Sequence, residues 1–165
     1  GITKFSPDEE VVSSGLISKK LLFTKIEIAL AGRAAEILIF GNNEITQYAS
    51  RDLLYSTALA REMVTKYGFS VIGPIAINDN NNEIFLGNNL LRNKSLIAEK
   101  TSTQIDHEII NIAKNSLNNS IKIIEANMPF LDRLVQALLT DETIDKTKFK
   151  EISQGIFNYD LIEIN

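Results

Sequence analysis

The segment between Ser18 and Gly41 carries apolar residues at intervals of three and four on more than one side of a helix. This spacing predicts a long, deeply buried α-helix rather than a strand, whose apolar residues would alternate. Ser18 is a favoured N-cap residue, and Gly41 stands where a left-handed helix end favours glycine. A helix buried on several sides needs other elements around it, so this segment predicts a helical bundle. One face of this predicted helix consists of Leu22, Ile26, Ala29, Leu30, Arg33, Ile37 and Phe40.

The rest of the chain repeats the helical pattern and shows little strand. Four further helices are predicted: Ser50–Tyr67 with Ser50 as cap, about Ser95 to Ala126, Phe130–Thr140, and Lys146 to about Ile156. The break at Asn127-Met128-Pro129 follows because the residue before proline avoids helical geometry. The predicted inward residues are Ile105, Ile109, Ile112, Ser116, Ile121 and Ile124 in the long helix, and Leu131, Leu134, Val135 and Leu138 in the next. A short strand is predicted at Glu44–Tyr48, and a small hairpin from the apolar runs Ile72–Ile77 and Glu83–Leu86.

Length and composition narrow the classes of function. The 165 residues predict a single, mostly α domain. It is divided into a first part over residues 1–94, a helical bundle over 95–157 and a tail over 158–165. The net charge of -4 argues against nucleic-acid binding, which depends on Lys and Arg. With no cysteine and one histidine, the chain alone cannot build a thiolate or histidine-rich zinc site. No apolar run reaches the roughly 18 residues of a membrane span.

Several short motifs occur in a fixed order along nearly the whole chain. They resemble the peptidase domain of the FtsH family, which consists of membrane-anchored ATP-dependent zinc metalloproteases. The corresponding segments here are Gly32-Arg33-Ala34-Ala35-Glu36 with Phe40-Gly41, Thr46 to Leu53, Ala60-Arg61-Glu62-Met63-Val64 with Tyr67-Gly68, and Ile72-Gly73-Pro74.

The resemblance implies that this chain corresponds to the carboxy-terminal part of such a peptidase domain, with residues 1–94 as the half nearer the zinc site. The family's H-E-x-x-H helix, its ATPase domain and its membrane anchor would then lie upstream of Gly1. We therefore expect no catalytic residue in this chain, no activity and no bound cofactor when it is isolated. For the intact protein the resemblance implies zinc, ATP, membrane and soluble protein substrates, and a self-assembled, hexameric ring. The domain would face the cytoplasm or the interior of an organelle, at a bacterial inner membrane, a mitochondrial membrane or a plastid thylakoid.

The resemblance also implies a metal ligand. Asp52 matches the family's third zinc ligand, although an acid in the first turn of a helix is also favoured by the helix dipole alone. Glu36 is the alternative ligand; we expect it instead to pair with Arg33. Tyr48 stands where the family has Gly, and is interpreted either as lining the peptide-binding edge or as an exposed aromatic residue. Because Tyr48 and Arg51 depart from the family pattern, the alternative function is a non-catalytic ring-assembly module of a degenerate FtsH-like protein.

Overall fold

The computed structural model describes residues 16–76 and 99–158, together with Thr3. The elements are α1 (Lys19–Phe40), a 3-10 turn (Gln47–Ala49), α2 (Ser50–Thr65), α3 (Glu99–Ala126), α4 (Met128–Asp141) and α5 (Lys146–Ser153). These described ranges contain no strand, so the mostly α prediction is confirmed. The strand predicted at Glu44–Tyr48 is wrong, because residues 44–46 form an irregular bend and the 3-10 turn begins at Gln47. Of the predicted hairpin, residues 77–98 lie outside the described ranges, and residues 72–76 form no strand.

Three helices, α1, α2 and α3, share one hydrophobic core. Each contributes a stripe with helical spacing, and Ile26, Ala60 and Met63 are completely buried. Full burial of one large aliphatic side chain stabilises a fold by about 1.5–3 kcal/mol, so this core is the main source of stability. The predicted inward position of the α3 isoleucines up to Ile112 is confirmed. The core consists of Leu22, Ile26, Leu30, Ala60, Met63, Val64, Ile105, Ile109 and Ile112.

Polar contacts fix how α3 lies along α1. The Ser120 hydroxyl is 2.9 Å from the carbonyl oxygens of both Glu27 and Ser116. The side-chain amide of Asn119 donates to the Glu27 carboxylate at 3.1 Å. A sliding of α3 by one turn would leave these partly buried groups without partners, which is costly. These contacts therefore fix the register of α3 along α1, which the apolar stripe alone does not determine.

The break between α3 and α4 is held by Asn127, which is buried. Its amide donates to the Ile123 carbonyl at 2.8 Å, and its Oδ1 accepts from the Asn158 backbone at 2.7 Å. Phe130 packs edge-on against Phe149 and Phe157, with ring centroids 5.5 and 5.1 Å apart. The chain after α5 is thereby fastened to the start of α4.

Beyond this cluster α4 is largely uncovered in the described part of the chain. Val135 and Leu138 were expected inside, but they are 44% and 43% exposed, and Leu139 is 74% exposed. The expectation was wrong because α4 leaves the three-helix core after Phe130 and packs only against α5 and the end of α3. The apolar stripe of α4 is present, but no described element covers it.

The predicted starts of α1 and α5 are confirmed, whereas α2 and α5 end at Thr65 and Ser153, before the predicted Tyr67 and Ile156. The Ser18 hydroxyl accepts from the Leu21 backbone at 3.1 Å, and Asp145 accepts from Lys148 at 2.8 Å. Ser50, however, is the first residue of α2 rather than its cap, since the 3-10 turn runs directly into the helix. Among the helices in the described ranges, none combines the length and apolar character that a membrane span needs.

Candidate functional site

The candidate residues lie around the connection between α1 and α2. Glu36 is in the last turns of α1, Tyr48 is in the 3-10 turn, and Asp52 is in the first turn of α2. Ala49, between the last two, is 5% exposed and fixes the turn against the protein. The connection therefore brings the three predicted residues onto one short structural unit.

Asp52 has an exposed carboxylate that makes no hydrogen bond or ion pair within the described ranges. It lies at the amino end of α2, where the helix dipole favours a negative charge. A hard carboxylate oxygen of this kind is a suitable zinc donor. The residues 16–76 and 99–158 contain no group of three or more His, Cys, Asp or Glu side chains arranged for a metal. Asp52 thus fits zinc as one ligand, and a complete site needs further ligands from outside these ranges.

Glu36 is occupied on both of its carboxylate oxygens. Oε1 accepts from the Thr46 hydroxyl at 2.7 Å, and Oε2 accepts from the Thr46 backbone N–H at 3.0 Å. The hydroxyl and then the N–H of Thr46 hold the pKa of Glu36 below its ordinary value, and the charge of Arg33 adds a smaller effect. A carboxylate with two donors already in place is less suited to binding a metal than one without partners.

Arg33 meets Glu36 indirectly. Its Nη1 donates to the Thr46 carbonyl oxygen at 3.4 Å. Within the described residues there is no direct ion pair between the two side chains. The predicted pairing of Glu36 with Arg33 is therefore wrong, and the main partner of Glu36 is Thr46. The reason is that Thr46 presents both donors and an acceptor, and therefore satisfies the carboxylate and the guanidinium together.

Tyr48 is 85% exposed. Its backbone N–H donates to the Thr46 hydroxyl oxygen at 3.2 Å, so its backbone is held while its ring faces solvent. The only histidine, His107, lies on an exposed position of α3.

Thr46 is the residue that the sequence argument missed. It accepts from Tyr48 as the N-cap of the 3-10 turn and donates twice to Glu36. Threonine is a favoured cap residue, so its position just before a short turn was the available signal. The predicted cap, Ser50, lies four residues later.

Comparison with known proteins gives a consistent result. The sequence profile described as Peptidase family M41 matches residues 1–152. The chain is 40% identical over 153 residues to "ATP-dependent zinc metalloprotease FtsH" of Trieres chinensis, covering 92% of this chain and 23% of that protein. It is 36% identical to the FtsH of Cyanidium caldarium and 33% identical to FtsH 3 of Synechocystis sp., in each case over 92% of this chain.

The chain spans about a quarter of the length of these curated relatives, with 24% and 25% for the last two. The matches nevertheless extend over almost all of the present sequence, including α1, the 3-10 turn and α2. The chain belongs to peptidase family M41, the family of the FtsH-type zinc metalloproteases.

Proposed function

We propose that this chain contributes Asp52 as one ligand to the zinc ion of a full-length ATP-dependent metalloprotease. The observation that supports this most directly is the contrast between the two candidate carboxylates. Asp52 is exposed and has no partner in the described ranges, whereas both oxygens of Glu36 accept from Thr46. Membership of family M41 supports zinc as the metal.

The chemistry divides between the metal and the chain. A bound zinc ion supplies Lewis acidity and lowers the pKa of a coordinated water. The role of Asp52 is to hold one coordination position with a negatively charged oxygen. The exposed ring of Tyr48, four residues earlier, offers an apolar surface beside which a substrate peptide chain would lie. No general base is assigned to this chain, so the proposal requires an H-E-x-x-H segment elsewhere in the full-length protein.

The proposal extends to the setting of the full-length protein. Its substrates are membrane and soluble proteins, delivered by an ATPase domain outside this chain. It assembles as a ring of copies, which we propose to be hexameric, and is anchored in a membrane with this domain on the cytoplasmic or organelle-interior side. The names of the relatives specify ATP dependence, which supports an ATPase domain in the full-length protein.

The test is Asp52→Asn in the full-length protein, with zinc per chain measured by mass spectrometry and proteolysis measured on casein. An amide oxygen is a poorer zinc donor than a carboxylate, so the variant should lose most of its zinc and its proteolysis. Glu44→Gln is a matched control, because Glu44 is an exposed acid of the same connection. If Asp52→Asn retains zinc and activity while Glu36→Gln loses both, Glu36 is the ligand and the assignment fails.

A second candidate function, the non-catalytic assembly module, is favoured by the exposed apolar residues of α4. Val135, Leu138 and Leu139 lie uncovered in the described part of the chain and would suit contact with a neighbouring copy. The two functions are distinguished by the full-length sequence, since an intact H-E-x-x-H supports the protease and a broken one supports the assembly module.

A further inference from the structure

The connection between α1 and α2 contains a series of hydrogen bonds that runs from Glu36 to the first residue of α2, two residues before Asp52. Glu36 accepts twice from Thr46, Arg33 donates to the Thr46 carbonyl, and Thr46 in turn accepts from the Tyr48 backbone. The Ser50 N–H then donates to the Gln47 carbonyl and continues the turn into α2. We infer that Glu36 is a positioning residue, which acts through Thr46 to fix the first turn of α2 and hence the Asp52 carboxylate. This inference rests on the proposed function of Asp52.

The first turn of α2 needs this support for a physical reason. The first N–H groups of a helix have no partner within the helix, so an uncapped first turn frays. Ala49 occupies the N-cap position and provides no side-chain bond, and Ser50 caps nothing. The Thr46 hydroxyl accepts from the Tyr48 N–H and so caps the 3-10 turn that runs into α2, and Thr46 is itself held to α1 by Glu36 and Arg33.

Glu36 lies on a helix that is packed into the core, whereas Asp52 is exposed. α1 packs against both α2 and α3 through Ile26 and Leu30, which are 0% and 3% exposed and belong to the shared core. Asp52 is exposed, and its side chain makes no hydrogen bond or ion pair within the described ranges. Its placement therefore depends on the backbone of the turn, and a ligand carboxylate must be held within a few tenths of an ångström to bind well.

Two substitutions break this chain of contacts without changing the size of the side chain. In Glu36→Gln, one carboxylate oxygen becomes an NH2 group, so either the Thr46 hydroxyl or its N–H loses an acceptor. In Thr46→Val, the hydroxyl that links Glu36 to Tyr48 is removed. Thr46→Ser keeps the hydroxyl and should rescue, while Glu44→Gln changes an acid that takes no part.

The experiment measures zinc affinity in the full-length protein by competition with a chromophoric chelator. Loss of a residue that orients a metal ligand weakens affinity by roughly 10–100-fold, and we expect this for Glu36→Gln and Thr46→Val. Thr46→Ser and Glu44→Gln should remain close to wild type. The exchange of the Tyr48 amide with deuterium should become faster in Thr46→Val even in the zinc-free protein, while the melting temperature changes little.

Two results separate this inference from the proposed function. If Asp52→Asn loses zinc but Glu36→Gln and Thr46→Val bind it as tightly as wild type, the positioning role is refuted and the ligand assignment stands. If Asp52→Asn itself binds zinc as wild type does, the ligand assignment fails and the positioning role fails with it. Weakened affinity in Thr46→Ser equal to that in Thr46→Val would also overturn the inference, because the hydroxyl would then not carry the effect.

Discussion

Replacing Gly68 by alanine should destabilise the fold through two separate effects. Gly68 follows α2 with a φ of +65°, a conformation that costs an L-residue about 1–2 kcal/mol. A Cβ at this position would lie 3.0 Å from the Pro74 Cα and 3.2 Å from the Ile75 backbone nitrogen. These neighbours are backbone atoms that cannot rotate away, so relief requires a shift of the segment, at about 1–3 kcal/mol more. The expected loss of unfolding free energy is about 2–5 kcal/mol.

Gly155→Ala provides the matched control. Gly155 has a similar φ of +71°, but a Cβ there would meet nothing within 4 Å, so only the conformational cost of about 1–2 kcal/mol applies. The assay is urea unfolding of the chain followed by circular dichroism, with the midpoint of Gly68→Ala about 1 M or more below that of wild type. Equal losses in the two variants would refute the argument, because the close approach of Gly68 to Pro74 would then carry no cost.

The remaining predictions concern the core, pH and activity. Ile26→Ala should cost about 2–5 kcal/mol in urea unfolding because the side chain is fully buried, whereas Ile28→Ala, at 52% exposure, should cost far less; equal costs would contradict the described core. The lowered pKa of Glu36 means that its contribution to stability is complete above its ordinary value of 4.5 and is lost as pH falls through the lower folded value, so Glu36→Gln should flatten the acid side of the stability profile. The isolated chain should not hydrolyse casein with or without zinc, and chelator-sensitive activity would contradict this.

Sequence reasoning worked best where local chemistry and burial agree. The α1 helix begins after the capping Ser18 and ends before Gly41, as predicted, although the Gly41 φ and ψ of 82° and 166° are not those of a left-handed cap. The prediction that α1 is deeply buried on several sides is wrong, because Ile28 and Ile39 are each 52% exposed. The isoleucines of α3 from Ile105 to Ile112 were recognised because their spacing matches one helical face. The predicted break before Pro129 is found at Asn127, but its steric reason was wrong, because Met128, the residue before the proline, is the first residue of α4.

The predictions that were wrong concern residues whose contacts are made with distant parts of the sequence. The contact between Glu36 and Thr46 joins residues ten apart across a turn, and no periodic pattern encodes such a contact. For α4, the apolar spacing correctly predicted a helix. Whether Val135 is covered by another element depends on the direction in which α4 leaves the core, and the spacing does not encode that direction. The exposure of Asp52 likewise followed from the fold, whereas its interpretation as a ligand came from the resemblance.

The central claim is that the Asp52 carboxylate of this chain binds the zinc ion of the full-length protein. The most direct measurement is anomalous scattering at the zinc edge from crystals of the zinc-loaded full-length protein. The account predicts a peak at about 2.0–2.2 Å from an Asp52 carboxylate oxygen, with Glu36 still bonded to Thr46. A peak bound to Glu36, or a zinc ion with no ligand from this chain, would contradict it.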